Sequence, residues 1–212
     1  MIQVLHKDQE GWKEATSVVA ETFSNSYGAH IKSFMPHFIK VSDKEHNLRT
    51  LIGYRDAANE KLFLEVYLDE PIEAAISRYL GHKVERSSIV EMGNLADVSP
   101  GDARMGIIAA TAFLYTCGYR WVAFTGVTRL RNGFRKLGMD VKELMVADES
   151  RLSEEQQADW GTYYHGRPVV CFGDIKQGHD NLQELWASLR DTWAGAVEIG
   201  EREVAHWAPE QQ

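Results

Sequence analysis

Two glutamates stand in apolar stretches where glutamate is uncommon. Glu65 lies within residues 62–68 and Glu91 within residues 88–98, and both stretches read as strands. In an extended chain Phe63, Glu65, Tyr67 and Asp69 share one face, and Leu62, Leu64, Val66 and Leu68 share the other. A carboxyl partly withdrawn from water has a raised pKa and can serve as a general base near neutral pH. The competing reading is a strand-edge or solvent-facing residue. Gly93 follows Glu91 by two positions. A glycine inside a strand marks a bulge or a close approach of backbone, which would free N–H and C=O groups in residues 93–96 (Gly93, Asn94, Leu95, Ala96), or else it permits tight sheet–helix packing.

A second kind of chemistry is suggested by residues 98–106, where a strand turns directly into a helix. Free backbone N–H groups and the helix dipole make such a turn an anion site, here at Ala103, Arg104, Met105 and Gly106. Gly101 and Gly106 would let a ligand approach, and Arg104 would add charge. Asp102 supports the plainer reading of a capped helix start. The turn is neither a Walker A loop nor a dinucleotide fingerprint. Arg55 is placed to bind a substrate carboxylate bidentately or to make a surface salt bridge. Tyr67 shares the face of Glu65, and Phe34 opens an apolar connection, residues 34–38, that would cover a lipid-like substrate or join the core. Trp160, Tyr163 and Tyr164 would line an acyl pocket or pack the last strand. Cys117 and Cys171 read as structural thiols, and the eight histidines show no zinc spacing.

These groups need elements to hold them. A short strand over 2–5 precedes a helix over 11–27 closed by Gly28. Strands over 49–55 and 61–68 read as an antiparallel pair, followed by a helix from Pro71 to Gly81. The strand at 88–98, the helix ending at Cys117 and Gly118, and the strand at 121–127 form a βαβ unit with a parallel pair. A short helix over 130–137, a strand over 168–172 and a helix over 180–193 complete the chain, with a frayed end at 209–212. The expected fold is α+β.

A chain of 212 residues with 44% hydrophobic and 25% charged residues can bury a core. Its formal charge of −8 argues against nucleic-acid binding. The longest uncharged stretch, 105–119, is shorter than the ~20 residues a bilayer span needs. With no apolar block at the start and two cysteines, a cytoplasmic protein is expected.

Residues 89–139 resemble the core of GNAT acyltransferases. Val98, Ser99 and Pro100 correspond to the lead-in, Arg104, Met105 and Gly106 to a thinned turn, and Asn132 with residues 134–138 to the short-helix signature. The resemblance implies a GNAT-like, mostly antiparallel sheet with one parallel strand pair splayed at its centre and helices on both faces. It also implies a phosphopantetheine thioester as co-substrate, with no metal. Asp102 would disfavour the pyrophosphate of coenzyme A, and Phe134 stands where a tyrosine often protonates the leaving thiolate. Acyl-homoserine-lactone synthases, a branch fed by acyl-carrier protein, have similarly degenerate turns. Residues 62–73, 90–96, 124–126, 130–132, 160–164 and 168–170 resemble the thermostable hemolysin family.

These resemblances imply an acyltransferase domain over 1–175 and a helical extension over 176–212. The expected enzyme moves a fatty acyl group from acyl-carrier protein, or from acyl-CoA, to the amino group of a small amino acid or amine, giving an amphiphile. Glu65 is the expected base, with Glu91 orienting the amine or holding its strand. Donor contacts are expected at Gly93–Ala96, Ala103–Gly106 and Asn132, and acceptor contacts at Arg55, Tyr67 and Phe34. Two other classes stay open: a membrane-lytic protein, and a non-catalytic acyl-binding module.

Overall fold

Buried side chains alternate between two faces along most strands, and they close the chain around one seven-stranded sheet. The computed structural model describes residues 1–99 and 101–207. Pro100 in the expected anion turn and the expected frayed end at 209–212 lie outside the described residues. The strands are β1 (Ile2–His6), β2 (His37–Ser42), β3 (Leu48–Asp56), β4 (Ile89–Asp97), β5 (Trp121–Gly126), β6 (Val141–Val146) and β7 (Val169–Asp174). They lie in the order β1-β2-β3-β4-β5-β7-β6. Among the described residues β4 and β5 are the one parallel pair, and the other neighbours run antiparallel.

The helices are α1 (Trp12–Tyr27), α2 (Ile72–Leu80), α3 (Asp102–Thr116), α4 (Thr128–Lys136), α5 (Glu154–Asp159) and α6 (Ile175–Trp207). Helices α1 and α2 cover one face: Val19 and Phe23 meet Phe38 and Leu51, and Ile72 and Ile76 meet Ile89 and Phe172. Helices α3, α4 and the start of α6 cover the other. There Ala110 and Leu114 join Ile39, Ile52 and Val90, while Phe134 and Leu182 join Phe124 and Cys171. Adjacent residues such as Phe38 and Ile39 are therefore both fully buried, each toward its own layer. Full burial of such a side chain stabilises the fold by roughly 1.5–3 kcal/mol.

That two-sided burial explains the first correction. With no polar alternation, β2 reads in sequence as an apolar connection, yet it is the strand that pairs with β3. The expected strand over 61–68 is instead a 3-10 turn, Phe63–Tyr67. Its apolar residues fit a period of two or of three equally well. The structure takes three, burying Leu64 and Tyr67 together while the Glu65 carboxylate folds back onto the Leu62 N–H at 3.0 Å. At the other end, residues 141–146, unassigned in sequence, form the edge strand β6. The last helix begins five residues earlier than expected, at Ile175.

The parallel pair is short. Ile89 to Met92 pair with Trp121 to Phe124, and there the ladder ends, although β4 runs on to Asp97 and β5 to Gly126. Asn94 takes a left-handed conformation, φ 48°, where the β3–β4 register slips by one residue between Gly53↔Gly93 and Leu51↔Ala96. A bulge thus turns β4 away from β5 immediately after Gly93, as expected for a splayed pair.

Candidate active site

The splay opens a cavity of about 530 Å³ whose lining comes from both layers. Phe23, Tyr27, Phe63, Tyr67, Trp160 and Tyr163 come from the side of α1 and the 3-10 turn. Ile52, Ile107, Phe124, Phe134 and Leu137 come from the side of α3 and α4. The sheet is therefore breached where β4 and β5 part. Past Met92 the β5-facing backbone groups of β4 have no strand partner, which leaves them available to an extended ligand. Thr125 Oγ1, also in the lining, is buried without a hydrogen-bond partner.

Glu91 is the one buried carboxylate of the lining, 3% exposed. Its Oε2 accepts the Phe63 N–H and its Oε1 the Leu64 N–H, each at 2.9 Å. Burial pushes its pKa up, while those two N–H groups and the charge of Arg55 pull it down. The balance rests at about 7. This is the state the sequence argument assigned to Glu65.

Glu65 is a different residue from the one expected. It does not line the cavity. Its carboxylate accepts the N–H groups of Leu62 and Ile72, each at 3.0 Å, and pairs with Arg86 at 2.6 Å. Arg86 also holds Glu73 at 2.7 Å. Burial alone would raise the Glu65 pKa, but Arg86 and the two backbone donors outweigh it and hold the carboxyl below its usual range. Glu65 ties the 3-10 turn to α2, and the turn in turn positions Glu91.

Phe34, Arg55 and Tyr67 all line the cavity. The Tyr67 hydroxyl is hydrogen-bonded to that of Tyr164, and burial followed by this bond raises its pKa. Gly93, Asn94 and Leu95 line the cavity too, whereas Ala96 is buried against the α1 layer. Met35, unmarked in sequence, lies across the splay. Its N–H donates to Asn94 Oδ1 at 2.8 Å, and a Cβ on Gly53 or Gly93 would come within 2.6 or 2.7 Å of its side chain.

At the start of α3, Ala103 and exposed Arg104 line the cavity, while Met105 points elsewhere. Gly106 does not admit a ligand. A Cβ there would meet Thr50 and Ile52 at 2.8–2.9 Å, so the glycine serves helix–sheet packing. Asp102 does not cap α3, whose N-cap is Gly101 without a side-chain cap bond; it ties the preceding turn, its Oδ2 accepting the Ser99 N–H at 3.0 Å and its Oδ1 pairing with Arg49 at 2.7 Å. Asn132 is exposed, bonded to Arg135, and outside the lining. Trp160 and Tyr163 line the cavity while packing on Phe23, and Tyr164 is buried in the core outside the lining.

Tyr27, Arg129 and Lys136 also line the cavity; Lys136 lies in the short-helix signature, and none of the three was given a site role from sequence. Tyr27 closes α1 far along the chain, and no local spacing marks it. Among the described residues no group of three or more His, Cys, Asp or Glu side chains could hold a metal, and no helix is long and apolar enough to cross a membrane.

Comparison with known proteins places these features. Residues 5–179 match the family described as Thermostable hemolysin. No curated protein matches the sequence. Among solved structures, TofI in a ternary complex with an inhibitor and MTA superposes with a TM-score of 0.56 at 15% identity, covering 86% of this chain and 96% of that one. The CoA-dependent acyl-homoserine lactone synthase BjaI, with SAM and isopentyl-CoA, gives 0.57 at 14% identity over 87% and 88%. FeeM, an N-acyl amino acid synthase from uncultured soil microbes, gives 0.56 at 11% identity over 85% and 98%. At these identities the likeness establishes the shared GNAT-like fold.

Proposed function

We propose that this chain, which belongs to the thermostable hemolysin family, is an acyltransferase that moves a fatty acyl group from a phosphopantetheine thioester to an amine. The observation that carries the reading is Glu91: a buried carboxyl poised near neutrality inside a cavity that opens where β4 leaves β5. The family name records an activity; the cavity supports a chemistry that would yield an amphiphile, and such a product would itself disturb membranes.

In this reading the thioester arm lies along the freed edge of β4 past Met92, its amides meeting unpartnered backbone groups. The carbonyl sits beside Gly93, where those groups polarise it. Glu91 takes one proton from the ammonium of the acceptor. The freed amine attacks the carbonyl carbon, the C–N bond forms, and the C–S bond breaks. The second amine proton goes to the departing thiolate. No tyrosine is needed for that transfer, which suits the buried Phe134 stacked on Phe124 at 4.7 Å. Most of the rate then comes from holding amine and thioester together.

Acyl-carrier protein is favoured over coenzyme A as donor. The Asp102 carboxylate, tied to Arg49, sits at the helix start that a pyrophosphate would use, and Arg104, Arg129 and Lys136 stand exposed around the opening. We assign the transferase to residues 1–175 together with the start of α6, whose Leu182 packs with Phe124 and Cys171, and the reaction to the cytoplasm, where such donors are made.

The test is product formation. Purified protein with decanoyl-carrier protein, decanoyl-CoA and a panel of amino acids and amines is followed by mass spectrometry. An N-acyl product that falls by roughly 10²–10⁴-fold in Glu91→Gln is expected. No product with any donor, or lysis of erythrocytes by the protein alone without donor, would contradict the reading.

A further inference from the structure

Arg55 and Glu91 are directly opposite one another on β3 and β4, and both face the cavity. Cross-strand partners stand about 4.5–5.5 Å apart at Cα, close enough for a simple ion pair. They do not form one. The turn that follows β3 comes between them: Arg55 Nη1 donates to the Lys61 carbonyl at 3.2 Å, and Glu91 accepts from Phe63 and Leu64. Arg55 Nε is buried and makes no hydrogen bond; its nearest carboxylate is that of exposed Glu60, 3.3 Å away. A cation and a carboxyl thus face one cavity from neighbouring strands without pairing, and an exposed glutamate occupies the place beside the cation.

We infer that the acceptor is an α-amino acid, bound as a zwitterion, with its carboxylate on Arg55 and its ammonium toward Glu91. This deepens the acyl-transfer reading and rests on it. In an α-amino acid the two charged groups flank a single carbon, so one molecule in the cavity can present its carboxylate to a group on β3 and its ammonium to a group on β4. The carboxylate displaces Glu60 from Arg55 and gains the guanidinium fork, a charge-assisted contact that a plain amine lacks. The side chain of the acceptor then meets the aromatic wall of Phe63, Tyr67 and Trp160. A simple amine would leave Arg55 facing Glu60 and would gain nothing from it.

Phenylalanine is compared with 2-phenylethylamine, and leucine with 3-methylbutylamine, in acyl transfer by the wild-type chain and by Arg55→Gln, Arg55→Lys and Glu60→Gln. The wild type should favour each amino acid over its amine. Arg55→Gln should raise KM for the amino acids by roughly 10–100-fold and leave KM for the amines unchanged, while any change in kcat, since Arg55 also acts on the charge of Glu91, should be shared by both. Arg55→Lys should restore part of the difference, and Glu60→Gln should lower KM for the amino acids by removing a competitor. Calorimetry with phenylalanine alone, without donor, should follow the same order. Equal use of amino acids and amines, or an Arg55→Gln rise in KM that is the same for both, overturns the inference while leaving acyl transfer intact. Binding of phenylalanine in the expected order without any acylation overturns the acyl-transfer reading and keeps the zwitterion site.

Discussion

Two glutamates of nearly equal promise in the sequence have opposite fates, and the difference lies in what each accepts. Glu65 has a guanidinium partner as well as two backbone donors, and Glu91 has backbone donors alone. The consequences for stability run in opposite directions with pH. The folded Glu65 pKa is depressed, so its contribution is present above the ordinary carboxyl value and is lost as pH falls through the depressed one. The folded Glu91 pKa is raised to about 7, so stability is lost as pH climbs from the ordinary value through 7, by an amount on the order of 3 kcal/mol. Denaturant unfolding between pH 5 and 8 should therefore show a decline in the wild type that Glu91→Gln flattens. Glu65→Ala leaves Arg86 without one partner in a partly buried site and should cost about 2–3 kcal/mol. Folded Glu65→Ala protein should still turn over; a turnover loss of a thousandfold with stability unchanged would return the base role to Glu65.

At the scale of elements, the splay depends on two facing glycines and one methionine. Gly53 and Gly93 pair across β3 and β4, and Met35 lies over both. On Gly53 a Cβ would strike the Met35 Cβ and Cγ at 2.6 Å and the Gly93 carbonyl at 3.1 Å, atoms that cannot move independently of the backbone. On Gly93 it would meet only the Met35 Cε, the mobile end of the side chain, at 2.7 Å. Gly53→Ala should thus cost about 2–3 kcal/mol in denaturant unfolding and Gly93→Ala less than half of that. Similar costs for the two would show that Met35 is not the constraint. The importance of Gly93 was legible, because a glycine in an otherwise regular strand asks for a reason. That of Gly53 and Met35 was not, since it exists only once the two strands are in register. The 3-10 turn at 63–67 misread as a strand for a related reason. Its apolar residues fit two periods, and the hydrogen bonds to Glu91 that select the turn link it to a residue 27 and 28 positions away. The parallel crossover and the starts of α1, α2 and α3 were legible because Gly11, Pro71 and Gly101 mark them locally, whereas the start of α6 carries no such mark.

Over the whole molecule, the formal charge of −8 conceals a local reversal. Arg104, Arg129 and Lys136 gather from α3 and α4 at the opening of the cavity, where an acidic carrier would meet them. Long-range attraction of this kind is screened by salt. The KM for a carrier-borne donor should rise several-fold between about 50 and 300 mM salt. The combined Arg104→Glu and Lys136→Glu variant should raise it further at low salt and remove most of the salt dependence. A KM that does not respond to salt would detach the carrier from this surface. A patch assembled from two helices is invisible in the net charge of the sequence until the fold brings them to one cavity.

The central claim is that Glu91 removes the proton from the acceptor amine. It is tested most directly by the pH dependence of acyl transfer, measured as kcat/KM for one acceptor in wild type and in Glu91→Gln. The wild-type rate should rise with pH and level off with a midpoint near 7, the value its buried carboxyl holds in the free protein. In Glu91→Gln that limb should vanish and the residual rate should follow only the ionisation of the amine itself. A variant that retains the wild-type limb near 7, at a rate within a few-fold of the wild type, would contradict the account.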